Sequence, residues 1–166
     1  SALTEAGFSQ VRISEVMAKN QTVVADEMGE FEDWIELHNE SSQSVDLAGW
    51  FLSDEELDPT QWEFPTGSLV GPGGTLLLWA DDDEDDGPMH TSFRLSDEGE
   101  GLYLSAPLAV GAQLVDSVSF GAQEADRSHG RMPTTGEVFV SLIDPSPDSL
   151  NEPQPGEAVR FAEIGD

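Results

Sequence analysis

Phe31-Glu32-Asp33-Trp34-Ile35-Glu36-Leu37-His38 decides the fold class. Phe31, Asp33, Ile35 and Leu37 share one parity and Glu32, Trp34, Glu36 and His38 the other, the two-residue period of an extended strand. Each face mixes apolar and acidic groups, which suits a strand of a sandwich. Upstream, Val11 to Ala18 is a second strand, and the switch of apolar positions from Val11 and Ile13 to Val16 places a bulge near Ser14 or Glu15. Downstream, Trp50 to Leu52 and Trp62 to Phe64 flank an acidic loop, Ser53 to Thr60. The turn Gly71-Pro72-Gly73-Gly74 introduces Thr75 to Ala80, the most apolar run and therefore the expected central strand. Asp97 to Gly101 reads as the turn of a hairpin joining Phe93 and Leu95 to Leu102-Tyr103-Leu104. Gln113 to Phe120 and Glu137 to Leu142 close the series. No window of a dozen residues sustains a helical pattern, so the chain reads as all-β, with about seven to nine short antiparallel strands in a sandwich or barrel.

Composition sets the bounds on function. The chain has 166 residues, 37% of them hydrophobic, with eight Phe and four Trp, enough for one domain with an ordered core. Against 34 acidic residues stand 6 basic ones, a formal charge of -28. Such a surface repels DNA, RNA and anionic lipid, and it lacks the basic footprint that nucleic-acid binding requires. It favours cations and cationic partners instead. One lysine, Lys19, against this carboxylate excess is the pattern of a salt-adapted, halophilic or marine source, because high ionic strength screens the self-repulsion. There is no cysteine, hence no disulfide and no thiolate site. The longest apolar runs fall far short of the roughly 18 residues a spanning helix needs, and Ser1 to Gln10 lacks the charged and apolar regions of a signal peptide.

No repeat of fixed period is present. From Asp144 onward, Pro145, Pro147, Pro153 and Pro155 accumulate in a polar setting expected to pack poorly. The expected division is an extension over 1–10, a sandwich domain over 11–151 and a proline-rich linker or tail over 152–166. Ala158 to Ile164 regain apolar character, either as a docked tail or as the start of a following domain.

Ile13-Ser14-Glu15-Val16-Met17-Ala18-Lys19-Asn20, followed by Asp33-Trp34-Ile35-Glu36-Leu37-His38-Asn39, resembles the opening of a lamin tail domain. Leu47-Ala48-Gly49-Trp50-Phe51-Leu52 resembles that family's Gly-Trp strand. Trp62-Glu63-Phe64-Pro65 and Gly73-Gly74-Thr75-Leu76-Leu77-Leu78-Trp79-Ala80 resemble its Phe-Pro and Ile-Trp-Ala segments. Ser128-His129-Gly130-Arg131-Met132-Pro133 and Pro145 to Asn151 resemble the closing part of bacterial versions. Each motif alone is common; five in the family's order are specific. The resemblance covers Val11 to Asn151. It implies an immunoglobulin-like β-sandwich without an active site of its own, found at the end of nuclear lamins and in secreted or surface multidomain bacterial proteins. An extracellular or cell-surface location follows from the resemblance alone. Nuclear members are linked to chromatin, an inheritance that the charge of this chain opposes.

Two acidic loops are candidate metal sites. In Asp81 to Gly87, hard oxygen donors at Asp82, Glu84 and Asp86, with Gly87 behind them, fit the first half of a helix-loop-helix calcium loop. The twelfth position is Phe93 where a bidentate glutamate is required, and a solvated acidic loop explains the run equally. Asp54, Glu56 and Asp58 form a second candidate of the same kind, and calcium is the cofactor either would take. Glu15, Asp33 and Glu36 lie on strands. As paired carboxylates they could serve glycosidase chemistry; the plainer reading has them accepting hydrogen bonds from backbone amides or pairing with Arg12 or Arg131. His38, His90 and His129 lie far apart in sequence, with no i, i+4 pair, which argues against zinc. Ser128 beside His129 has no nucleophile elbow around it, and Gly71 to Gly74 lacks the Lys-Ser/Thr of a phosphate loop. Trp34, Trp50, Trp62 and Trp79 read as core packing rather than as a sugar platform.

These readings lead to a noncatalytic binding or targeting module of an exported or surface multidomain prokaryotic protein. Its expected partner is a protein or a cell-surface glycan. A calcium- or salt-stabilised spacer attached to an enzyme is the alternative, and catalysis by an acidic pair the third.

Overall fold

The computed structural model describes residues 10–152; the expected N-terminal extension and the Pro-rich tail fall almost entirely outside them. Eight strands of three or more residues dominate: β1 (Val11–Met17), β2 (Trp34–Asn39), β4 (Phe51–Ser53), β7 (Thr75–Trp79), β8 (Glu100–Ser105), β9 (Leu114–Phe120), β10 (Ser128–Arg131) and β11 (Phe139–Leu142). Three two-residue strands complete the set: β3 (Val45–Asp46), β5 (Trp62–Glu63) and β6 (Leu69–Val70). The only helical turns among the described residues are 3-10 segments at Glu84–Asp86 and Leu108–Val110.

One sheet runs β11-β10-β1-β2-β7 and a second runs β5-β4-β8-β9, with β3 and β6 as a separate ribbon. Every strand pairing is antiparallel. Inward-facing Val11, Ile13, Val16, Ile35, Leu37 and Leu78 of the first sheet share one core with Leu52, Trp62, Leu102, Leu104, Val118 and Phe120 of the second. This is a β-sandwich, with alternate residues of both sheets filling the space between them.

The bulge lies where the sequence puts it. The register of β1 against β2 shifts between Ile13 and Glu15, so Ser14 and Glu15 together face Glu36. The extra residue keeps Val16 inward after Ile13 and turns Glu15 and Met17 to the outer face. Two expectations fail. Thr75 to Ala80 is at the sheet edge, not its centre; β1 is central. The edge strand is nonetheless apolar because it is covered: Trp79 N–H donates to Met89 O at 2.8 Å and Thr91 N–H to Trp79 O at 2.8 Å, so the 87–91 segment shields its free edge. Nor do Phe93 and Leu95 form a hairpin strand. The glycine-rich turn feeds β8, which pairs with β4 and β9, while Phe93 and Leu95 enter the core from a loop.

The outer face of the five-stranded sheet is buried as well. Every residue of β2 is buried, on both parities. Met17, Trp34 and Trp79 form a second apolar cluster there, packed against Val23, Val24 and Leu77. All four tryptophans are therefore buried, but only Trp50 and Trp62 lie between the sheets. The segment from Asp144 to Asn151, expected to pack poorly, instead crosses this face as a strap. Asn151 Nδ2 donates to Ser14 O at 3.0 Å and to Arg131 O at 2.6 Å, and Asn151 N–H donates to Thr134 Oγ1 at 2.7 Å. Gly130 is required beneath it. A Cβ there would stand 2.8 Å from Leu142 Cδ1, 2.9 Å from Asn151 Nδ2 and 3.0 Å from Ser14 O.

Candidate functional site

Three sets of carboxylates are built into this frame, and their surroundings differ. Glu15 and Glu36 face each other across β1 and β2 beneath the strap, both without measurable exposure. Glu15 accepts from Ser128 Oγ (2.5 Å), from Ser146 N–H (2.9 Å) and from Ser146 Oγ (2.7 Å). Glu36 accepts from Asp148 N–H (2.8 Å) and meets Ser14 Oγ at 2.9 Å. Burial, then the charge of Glu15, push Glu36 up to about 8; burial also raises Glu15, with its three donors working against the shift. At neutral pH burial and the neighbouring Glu15 favour the protonated form of Glu36. A protonated Glu36 Oε1 donates to Ser14 Oγ, whose own hydroxyl donates to Glu36 O at 3.2 Å, so the neutral form is fully bonded. With no opening to solvent and each oxygen bonded to the protein, the pair cannot reach a glycosidic bond. The expected arginine partners are absent from it: Arg12 bonds Glu137, and Arg131 bonds Asp116, Ile13 O and Gly136 O.

Asp33 and Glu100 lie at the loop end of the sandwich where β2 and β8 begin. Asp33 accepts from Leu95 N–H at 3.1 Å, and burial pushes it up to about 7. Glu100 accepts from Ser96 N–H at 2.5 Å; burial first, then neighbouring Asp54, raises it to about 7. Asp54, one of the expected calcium ligands, is thus engaged with Glu100, while Glu56 and Asp58 are exposed on the same loop.

The third set is at the rim beyond the β7 edge. Asp26, Asp81, Asp86 and His90 each bring one ligand-type atom to within 4.8 Å of all the others. Asp81 follows β7 and is pinned by its bridge to Arg94; Asp86 ends a 3-10 turn; His90 is held by its parallel bridge to Trp79. Asp26 comes from the loop between β1 and β2, closed by Asp26 N–H donating to Glu30 O at 2.8 Å. The imidazole is buried, with Nδ1 at 2.6 Å from Asp81 Oδ2 and Nε2 against Glu27. Burial pulls the His90 pKa down, but the hydrogen bonds to Asp81 and Glu27 outweigh it and the net shift is upward. Partial desolvation and then Asp83 raise Asp86.

Of the loop residues expected to ligate, only Asp86 joins this group; Asp82 and Glu84 are exposed. Among the described residues neither the Asp82, Glu84, Asp86 set nor the Asp54, Glu56, Asp58 set comes together at ligand spacing. Sequence reasoning missed Asp26, Asp81 and His90 because two segments far apart in the chain, the β1–β2 loop and the stretch after β7, supply the cluster. The Asp81 to His90 stretch on a strand end is the one local signal.

Between rim and strap lies a cleft of about 400 Å³, lined by Val24, Asp26, Glu27, Trp79, Met89 and Asp148 among others. His129 sits elsewhere, stacked between Phe120 and Phe139 with ring centroids 6.2 and 6.5 Å away. Ser128 is committed to Glu15.

An antiparallel sandwich with a cleft on the outer face of one sheet and its paired strand acids sealed defines an immunoglobulin-like interaction or structural module. The lamin tail domain family model matches residues 4–122, and the chain belongs to the lamin tail domain family. That match stops short of β10, β11 and the strap, which nevertheless pack against β1 and β2. No curated protein matches the chain.

Proposed function

We propose that this domain is a noncatalytic binding module of an exported or cell-surface multidomain prokaryotic protein, and that it recognises a basic protein segment through its outer cleft. The observation that carries this reading is the cleft's chemistry: an apolar floor of Val24, Leu77, Trp79 and Met89 bordered by Asp26, Glu27 and Asp148. A lysine or arginine stem lies well on such a floor while its charged head meets the carboxylates. The chain's charge of -28 steers cationic partners toward it and neutral glycans much less.

The test is binding of the purified domain to arrays of basic and acidic peptides and of cell-wall glycans, followed by titration in rising salt. Binding to basic peptides that weakens with salt and drops at least tenfold in Glu27→Gln/Asp148→Asn supports the reading. Glycan binding independent of salt, or turnover of any substrate, defeats it. Absence of any binding, with a melting temperature that rises in molar salt, returns the spacer role.

A further inference from the structure

We propose that Asp26, Asp81, Asp86 and His90 form a binding site for one divalent transition cation of the zinc class, with Glu27 as a neighbouring carboxylate that can join it. The clustering of four ligand-type atoms within 4.8 Å is the first support. Ligands about 2.1 Å from a tetrahedral zinc ion stand about 3.4 Å from one another, so the most widely separated side chains need to draw in by about 1.4 Å.

The second support is independent of the clustering. Asp26 is only 7% exposed, and its two oxygens are treated differently by the fold. Oδ1 accepts from Met28 N–H and Glu30 N–H, both at 2.9 Å, while Oδ2 is buried with no hydrogen-bond partner. A carboxylate oxygen hidden from water without a donor is costly unless a positive charge stands close to it. The backbone turn that fixes Oδ1 leaves Oδ2 as the free donor atom of a preset ligand.

The donor set selects the ion. Calcium takes oxygen ligands throughout, whereas one imidazole nitrogen among carboxylates suits zinc, cobalt or manganese. His90 is oriented by Asp81 on one nitrogen and Glu27 on the other, the carboxylate–histidine arrangement that fixes imidazole ligands in metal sites. Glu27, with a half-exposed side chain, is free to move when the ion takes the place of a ring proton. Asp26 and Glu27 also border the cleft, so metal binding is measured without peptide and its outcome is independent of whether a peptide binds there.

The experiment titrates the full chain, stripped with chelator, with zinc, cobalt and calcium chlorides, reading heat, melting temperature and the visible spectrum of the cobalt form. Expected are one zinc per chain, a melting temperature that rises to a plateau, and zinc affinity at least tenfold above calcium. The cobalt form should show the visible bands of nitrogen-and-oxygen coordination. His90→Gln and Asp26→Asn each weaken zinc at least tenfold, while the exposed-loop pair Asp82→Asn/Glu84→Gln leaves it unchanged. Should His90→Gln fail to fold, Asp86→Asn on the rim supplies the same comparison. Non-saturating uptake, equal affinity for calcium and zinc, or zinc binding undiminished in the site variants would overturn the proposal.

Discussion

The strap pair and the rim cluster lie against the same sheet and solve the same problem in opposite ways. Under the strap, Glu15 and Glu36 are fully bonded: two serine hydroxyls, of Ser128 and Ser146, and the backbone N–H groups of Ser146 and Asp148 donate to them, and Ser14 Oγ accepts from protonated Glu36. Repulsion between the two acids is removed by a proton on Glu36. At the rim, donors are few and one imidazole bridges Asp81 and Glu27, with one oxygen of Asp26 left unbonded. A buried acid dressed by the chain's own donors serves the fold; a buried acid whose oxygen the chain leaves undressed is available to something else.

The largest expected effect tests the first half of that contrast. Glu15→Ala strips the acceptor from Ser128 Oγ, Ser146 N–H and Ser146 Oγ at once, leaving buried donors unpaired and the strap unanchored. Its cost is about 3 kcal/mol in urea unfolding. Asp26→Ala, which loses only the turn bonds to Met28 and Glu30, costs about 1 kcal/mol. If the two losses come out equal without added metal, the distinction collapses.

Stability against pH sharpens it next. Glu36, at about 8, together with Asp33 and Glu100, each at about 7, sits well above the ordinary carboxyl range. The folded chain therefore holds protons that the unfolded chain releases near pH 4 to 5. The stability these groups contribute is fully present below that range and is lost as pH rises through about 7 to 8, at no more than about 1.4 kcal/mol per pH unit for each group. Melting temperature is expected to fall from pH 5 to pH 8.5. Glu36→Gln flattens the upper part of that fall, because an amide nitrogen can donate to Ser14 Oγ as the protonated acid does while the amide oxygen still accepts from Asp148 N–H. An unchanged slope in this variant would mean that Glu36 is ionised in the fold.

How much of this was legible beforehand follows from the physics of each feature. The bulge near Ser14 and the two short strands around Trp50–Leu52 and Trp62–Phe64 flanking an acidic loop were readable, since they are set by local apolar parity and turn residues. The position of β7 was not: an apolar run records that both faces are covered, and it does not say whether cover comes from strands or from the 87–91 segment. Prolines in a polar setting suggested poor packing from Asp144 onward, yet 144–151 is held by polar side chains, Ser146 and Asn151, with partners more than a hundred residues away. His90 was discounted because histidine spacing along the chain carries no information about carboxylate partners, one of them from the distant β1–β2 loop.

Salt gives a broader and smaller effect. Raising sodium chloride from 0.1 to 1 M shortens the Debye length from about 10 to about 3 Å, which relieves repulsion among exposed acids such as Asp82, Asp83, Glu84 and Asp85. The melting temperature of the metal-free chain should rise with salt, and the increment should be the same in Glu36→Gln, since screening does not reach beneath the strap. A salt response that vanishes in that variant would place the repulsion in the buried pair rather than on the surface.

The smallest effect is the most discriminating for the rim. Asp86 makes a partly exposed contribution to a cluster already crowded by Asp81 and Asp83, so Asp86→Asn without metal relieves repulsion while removing little packing. Its unfolding free energy should lie within about 0.5 kcal/mol of the parent, on the stabilising side. Structural acids do not behave so: neutralising an acid that the fold uses costs stability. A loss of more than about 1 kcal/mol would show Asp86 bonded into the fold as firmly as Glu15, and the rim would then belong with the strap rather than stand against it.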